Sequence, residues 1–269
     1  MKPQRLAAFL ILAIFGVTMF APWIAPSGYA QQDRNAISLA PGSDRAHPLG
    51  TDTLGRDRLA RLLYGMRISL LLAPAAALFA TCLAAAVGAA GGILGGWAER
   101  TLLAVIDIFL SVPWLFLLLT VRALMPLNTT PVVSIGITFI LLAALGWAAS
   151  ARLVCSGVRE VLQTDFILLA RANGAGISRI VAVHILPNLR PVLAAQFLIT
   201  VPAFILAEAN LGMLGLGVSE PMPTWGNLLR ELESFSALKS QPWLWTPLIT
   251  LVIVVSCFQF ILQEKEPTI

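Results

Sequence analysis

The chain has 269 residues, of which 58% are hydrophobic and only 12% charged, a composition too apolar for an ordinary soluble domain and suited to a membrane. Its net charge of +4 fits anionic lipid headgroups, while no Lys/Arg-rich tail or aromatic interleaving points to nucleic acid. Two histidines and the isolated Cys82, Cys155 and Cys257 form no CxxC, HExxH or disulfide framework, which leaves metal and redox chemistry without support.

Lys2 and Arg5 precede an apolar run from Leu6 to about Ile24, long enough at 1.5 Å per residue to cross a hydrocarbon layer of ~30 Å. Gly28 and Ala30 are small enough for a signal-peptide cleavage site. The run exceeds the usual signal core, however, and Pro22, Trp23 and Pro26 read as an interfacial exit, so we take it as the first span. Residues 25–67 are polar and end in HPLGTDTLGRDRLARLLYGMR. Within that segment Leu59, Leu62, Leu63 and Met66 recur with helical spacing while Arg58 and Arg61 fall on another side, predicting a short amphipathic surface helix that leads into the next span. An acid/base reading of His47, Asp52 and Asp57 competes with a simpler one, in which turn-forming neighbours and charge pairing with Arg56 or Arg58 account for the acids.

The second span, about Ile68 to Leu94, carries Gly88, Gly91 and Gly92 toward its end, residues that permit close helix–helix approach in a bilayer. After a turn with Glu99 and Arg100, the third span (about Leu102 to Val121) contains Asp107, expected to face the interface or pair with Arg100, and Pro113, expected to kink it. Pro126 and Pro131 mark a turn before the fourth span, about Val132 to Ala149. The fifth, Val192 to about Leu216, includes Pro202 and Glu208, and the sixth runs from about Leu244 to Leu262 before a polar tail. Trp225, Trp243 and Trp245 suit an interfacial belt. Asp107 and Glu208 have no recognisable proton chain around them and are expected to be structural.

Between the fourth and fifth spans lies the long polar interruption of the apolar second half, Arg152 to Pro191, with Arg152, Arg159, Arg171, Arg179 and Arg190 against Glu160 and Asp165. Apolar residues recur at helical intervals from Leu153 to Gln163. Thr164 and Asp165 offer a cap or first-turn acid for a second short helix ending at Gly174 or Gly176. Ser178 offers a cap for a third, which Pro187 is expected to stop or kink. A short helix held between two others has the form of a connector to something outside the membrane. Six spans put both termini and this connector on one side, and the loops 25–67 and 218–243 on the other. The 18 Lys and Arg residues divide evenly between the two sides, so only Lys2 and Arg5 ahead of the first span favour a cytoplasmic N-terminus.

HPLGTDTLGRD (His47 to Asp57), LLYGMRISL (Leu62 to Leu70), GGW (Gly95 to Trp97), ARANGAG (Ala170 to Gly176), HILPN (His184 to Asn188), EANLGMLGLG (Glu208 to Gly217) and PMPTWGNLL (Pro221 to Leu229) occur in one order along nearly the whole chain. In these motifs the chain resembles the inner-membrane permease subunits of the dipeptide/oligopeptide/nickel class of ABC importers, specifically the subunit with the HPLGTD-x-x-GRD signature. The resemblance implies an all-α membrane protein with six transmembrane helices in the type I ABC importer permease (MetI-like) fold. Residues 1–67 would form the first helix, external segment and surface helix, 68–263 a five-helix core containing the cytoplasmic coupling loop 151–191, and 264–269 a cytoplasmic tail. It implies a location in the bacterial inner (plasma) membrane with both termini cytoplasmic. It also implies partnership with a second homologous permease, two cytoplasmic ATPase subunits or domains and an extracytoplasmic solute-binding protein.

The connector resembles the family's EAA loop, so Phe166, Leu168, Leu169, Ala170, Arg171, Gly174 and Ala175 are expected to contact the ATPase, with Gly174 permitting the turn after the short helix where a side chain would clash. The competing reading packs those leucines against the protein's own spans. The resemblance implies that this chain is not the enzyme and holds no cofactor, ATP and Mg belonging to the partner; no GxxxxGK[ST] segment occurs in it. Three residues depart from the family pattern: Leu168, Leu169 and Ala170 replace Glu-Ala-Ala, Ala104 replaces an arginine before the third-span acid, and Glu99 replaces an Asp. Small peptides are the default cargo, with nickel or another small solute as the alternative. A secondary transporter would carry inverted repeats or broken helices with mid-bilayer ion ligands, and a membrane enzyme clustered His, Cys or acids on adjacent spans. A non-transporting scaffold is the remaining rival.

Overall fold

The computed structural model describes residues 3–126, 129–233 and 241–262 of a helical, multi-pass membrane protein. Among these residues, extended pairing is confined to two isolated bridges, Gln32 with Arg56 and Thr51 with Asp57. The tail read at 264–269, Lys2, and part of the 218–243 loop lie outside the described residues.

Four helical stretches are long and apolar enough to cross a membrane, not the six expected: Arg58–Leu94, Pro131–Leu162 (which opens with α6, Pro131–Leu145), Ile177–Met213 and Pro242–Leu262. A fifth exists if α4 (Gly96–Ser111) and α5 (Trp114–Leu124) count together; they meet at 78°, a sharp bend at Pro113 where a kink was expected. The run expected as one span from Leu6 to Ile24 divides into α1 (Pro3–Met19) and α2 (Ala21–Ile24). The division follows from Pro22, which has no N–H to donate and whose ring crowds the carbonyl four residues back. The 17 residues of α1 rise only ~26 Å, short of a hydrocarbon layer.

The chain forms two compact units. The first comprises residues 1–74, 121–140 and 201–269. In it α1 packs along α12 (Thr246–Leu262), and α11 (Trp225–Leu229) packs on α12 as well. The amphipathic helix expected around Leu59–Met66 does lead into the next span, as the opening of α3 (Arg58–Leu94), but it does not lie on a surface: Leu62, Leu63 and Met66 are buried together with Arg61. Asp57 starts α3 by accepting the Ala60 N–H at 2.6 Å, the N-cap to N3 bond that satisfies one of the helix's free donors. Trp225 is not in an interfacial belt: it is fully buried and its Nε1–H donates to Thr250 Oγ1 at 3.2 Å.

The second unit comprises residues 75–120 and 141–200. Here the glycines near the end of α3 do what their spacing predicts. A Cβ at Gly88 would stand 2.8 Å from Val154 Cβ, and one at Gly92 the same distance from Val158 Cβ, so only a bare backbone lets α3 lie this close to α7 (Ala148–Leu162). α4 also packs on α7, where Ile106 joins Ala84, Ala148 and Ala151 in a small core.

After α7 come α8 (Asp165–Ala172), α9 (Ile177–Ile180), a π-helical turn at Val181–Ile185 and α10 (Leu186–Met213). Two expectations need correction. Ser178 is not the cap of the third helix, which starts at Ile177 with Gly176 in the cap position. Pro187 does not stop the chain either: a π-helical turn precedes it, with the Leu186 N–H donating to Val181 O, and the helix runs on through Met213. α8 is held by Ile167, fully buried against Val154, Val158, Ile180, Ile185 and Leu189. Ile167→Ala is expected to cost about 2–5 kcal/mol through the cavity it leaves, measured as a lower thermal midpoint of the purified protein.

Candidate functional site

α8 turns one face into the second unit and leaves the other bare. Ile167 anchors it, while Leu168 and Leu169 are 54% and 64% exposed and Phe166 is also exposed, resting its ring 5.7 Å from that of His184. Exposed leucines adjoining a buried isoleucine are not core residues of this chain, contrary to the reading that packs them against its own spans. Ala170 is half-buried, and Arg171, in the last turn, is exposed.

The helix stops at a complete double hydrogen bond of the Schellman type: Gly174 N–H donates to Arg171 O at 2.9 Å and Ala175 N–H to Ala170 O at 3.0 Å. Gly174 has φ +77°, and no atom lies within 4 Å of where its Cβ would stand. The expected clash is therefore absent, and glycine serves here because the left-handed backbone suits it. Thr164 occupies the N-cap position, yet its hydroxyl donates back to Val161 O at 2.6 Å instead of capping α8.

Charges on this unit sort into paired and unpaired. Glu99, buried, takes a 2.5 Å bond from exposed Arg159, and exposed Asp107 pairs with Arg152, which overturns Arg100 as its expected partner but leaves the other expectation, that it faces the interface, standing. The connector thus supplies the arginine that Ala104 lacks. Arg171, Arg179 and Arg190 have no ion-pair partner among the described residues.

A second constellation lies in the first unit. The Asp52 carboxylate accepts from the backbone N–H groups of Leu54 and Arg56 and takes Arg56 Nε at 2.6 Å. Arg56 Nη1 reaches Glu220 at 2.7 Å, and buried Arg61 donates Nη2 to the same carboxylate at 2.9 Å. Burial by itself lowers the Arg56 pKa, but the Asp52 hydrogen bond and the Glu220 and Asp52 charges outweigh it and raise it overall. Arg58 turns instead to Glu231, at 2.6 Å. His47 and Asp57 do meet, at 2.9 Å and both buried, with Asp57 also committed to capping α3. Asp52 is thus paired with Arg56, Asp57 caps α3, and His47 is hydrogen-bonded to Asp57. Glu220, which ties the network together, lies 164 residues from Arg56 and carried no local signal.

Glu208, fully buried in α10, takes Ser69 Oγ–H at 3.4 Å, and Gly226 lies directly against it. No Lys or Arg pairs with it among the described residues.

Residues 80–264 match the family described as "Binding-protein-dependent transport system inner membrane component". The chain is 35% identical over 253 residues to the oligopeptide transport system permease protein OppC of Mycobacterium tuberculosis (strain ATCC 25618 / H37Rv), covering 94% of this chain and 84% of that protein. It is 34% identical over 258 residues to the OppC protein of Haemophilus influenzae, covering 95% and 80%. To the dipeptide transport system permease protein DppC of Bacillus subtilis it is 31% identical over 234 residues, covering 86% and 71%.

Proposed function

Because the chain belongs to the family of binding-protein-dependent transport system inner membrane components, we propose that it moves small peptides as one permease subunit of an ATP-driven importer, with α8 as the contact for its ATPase. It is a transport subunit and not an enzyme. Hydrolysis takes place in separate ATPase subunits, and a second permease and a solute-binding protein complete the complex. α1 with α2 forms the sixth span beside α12, both termini face the cytoplasm with α8, and the 25–57 segment meets the binding protein.

The observation that carries the reading is the bare face of Phe166, Leu168 and Leu169 on a helix fixed by Ile167. Apolar side chains held outward by a buried neighbour offer area to a partner at little ordering cost. With Leu168 in place of the family's acid, that contact leans on burial, and exposed Arg171 supplies the polar rim beside Gly174 and Ala175. Closure of the ATPase pair would pull on α8, and the rigid cluster around Ile167 would pass the movement to α10.

Changing Leu168 and Leu169 together to Asp leaves the fold intact, because both are more than half exposed. Association with the ATPase is expected to weaken at least about thirtyfold, near 2 kcal/mol, and ATP-dependent uptake of a labelled dipeptide into vesicles to fall with it. Unchanged binding in a well-folded double variant would remove α8 as the docking element. Peptide uptake absent from a coupled complex would leave docking intact and overturn the cargo.

A further inference from the structure

Arg122, in the last turn of α5, is fully buried, yet among the described residues it meets no carboxylate. Its Nη2 donates to Ser134 Oγ and to Gly217 O, each at 3.2 Å, its Nη1 approaches Pro126 O at 3.5 Å, and its Nε finds no acceptor. Neutral oxygens solvate a guanidinium but do not cancel its charge, and a buried cation without a counter-charge is costly.

Arg122 lines a cavity of about 150 Å³ together with Gly215, Gly217, Glu220, Asn227 and Arg230. Glu220 cannot serve as the missing anion, since its carboxylate is already shared by Arg56 and Arg61. Arg230 adds a second positive charge: its guanidinium lies 3.5 Å from the position of a Gly215 Cβ, and it has no ion pair among the described residues. Gly215 has φ +72° and closes α10 with the same double hydrogen bond as Gly174, so its backbone stays bare beside the arginine.

We infer that this cavity is a carboxylate-binding site, with Arg122 at its base and Arg230 at its edge. A planar carboxylate matches the forked donors of a guanidinium better than a spherical ion does, and the space, about five water volumes, takes a carboxylate group and little more. The carboxylate comes either from the C-terminus of a peptide in transit, which rests on the peptide reading above, or from a free organic acid.

The test is thermal protection of the purified importer complex by acetate, chloride, glycylglycine or glycylglycine amide at constant ionic strength, in the wild type, Arg230→Gln and Arg122→Gln. Because Arg230 is exposed, its variant is expected to fold, whereas Arg122→Gln risks misfolding and serves as the second variant. We expect glycylglycine and acetate to protect, the amide and chloride not to, and Arg230→Gln to weaken protection at least tenfold in concentration. Stronger protection by glycylglycine assigns the site to cargo, while equal protection by acetate assigns it to free carboxylates. Protection by acetate with no dipeptide uptake supports the site and overturns only the peptide reading. No protection by either carboxylate, chloride as effective as acetate, or full protection in Arg230→Gln overturns the inference.

Discussion

Asp52→Ala is expected to lower the stability of the protein by about 3–5 kcal/mol, the range for breaking a buried ion pair by removing one partner. Asp52 is buried and accepts three hydrogen bonds with one carboxylate: two from the N–H groups of Leu54 and Arg56, which hold the turn, and one from Arg56 Nε, whose charge it neutralises. Without it the Leu54 and Arg56 amides lose their acceptor, and Arg56 and Arg61 are left to share the half-exposed Glu220. Asp52→Asn should fall between, because its amide oxygen still serves the turn but carries no charge. Thermal unfolding of the purified complex, followed by tryptophan fluorescence, measures both. A midpoint for Asp52→Ala within error of the wild type would show that the network adds nothing to stability.

Gly212→Val is the second large effect, expected to cost about 3 kcal/mol or more through overpacking. A Cβ at Gly212 would overlap the Gly226 backbone, and one at Gly226 would stand 2.7 Å from Glu208 O. Backbone faces backbone on both sides, so no side-chain rotation relieves the overlap, and α11 must move off α10, exposing Trp225 and Glu208. The controls are Gly16→Ala and Gly136→Ala, where no atom lies within 4 Å of the new Cβ and helix propensity favours alanine by up to about 1 kcal/mol. Equal stability of Gly212→Val and the two controls, read by the same fluorescence melt, would contradict the close approach of α10 and α11.

The connector was readable in sequence because its signals are local. Period 3.6 predicts α7, and a glycine after eight helical residues predicts the end of α8. The reason for Gly174 was not local: backbone sign and side-chain crowding leave the same glycine in a sequence, and only φ +77° with open space around it separates them. Pro187 shows the same limit, since nothing local to it tells that a π-helical turn precedes it and that the helix runs on.

That this is a helical membrane protein with a polar connector in its second half follows from hydropathy and helical period, which are properties of neighbouring residues. Which charges pair follows from the fold. Arg152 finds Asp107, Arg159 finds Glu99, and Glu220 binds Arg56 and Arg61 across more than half the chain, while Arg122 is left without an acid among the described residues. Electrostatic pairing depends on distance through space, and once helices fold back on one another, distance along the chain no longer predicts it.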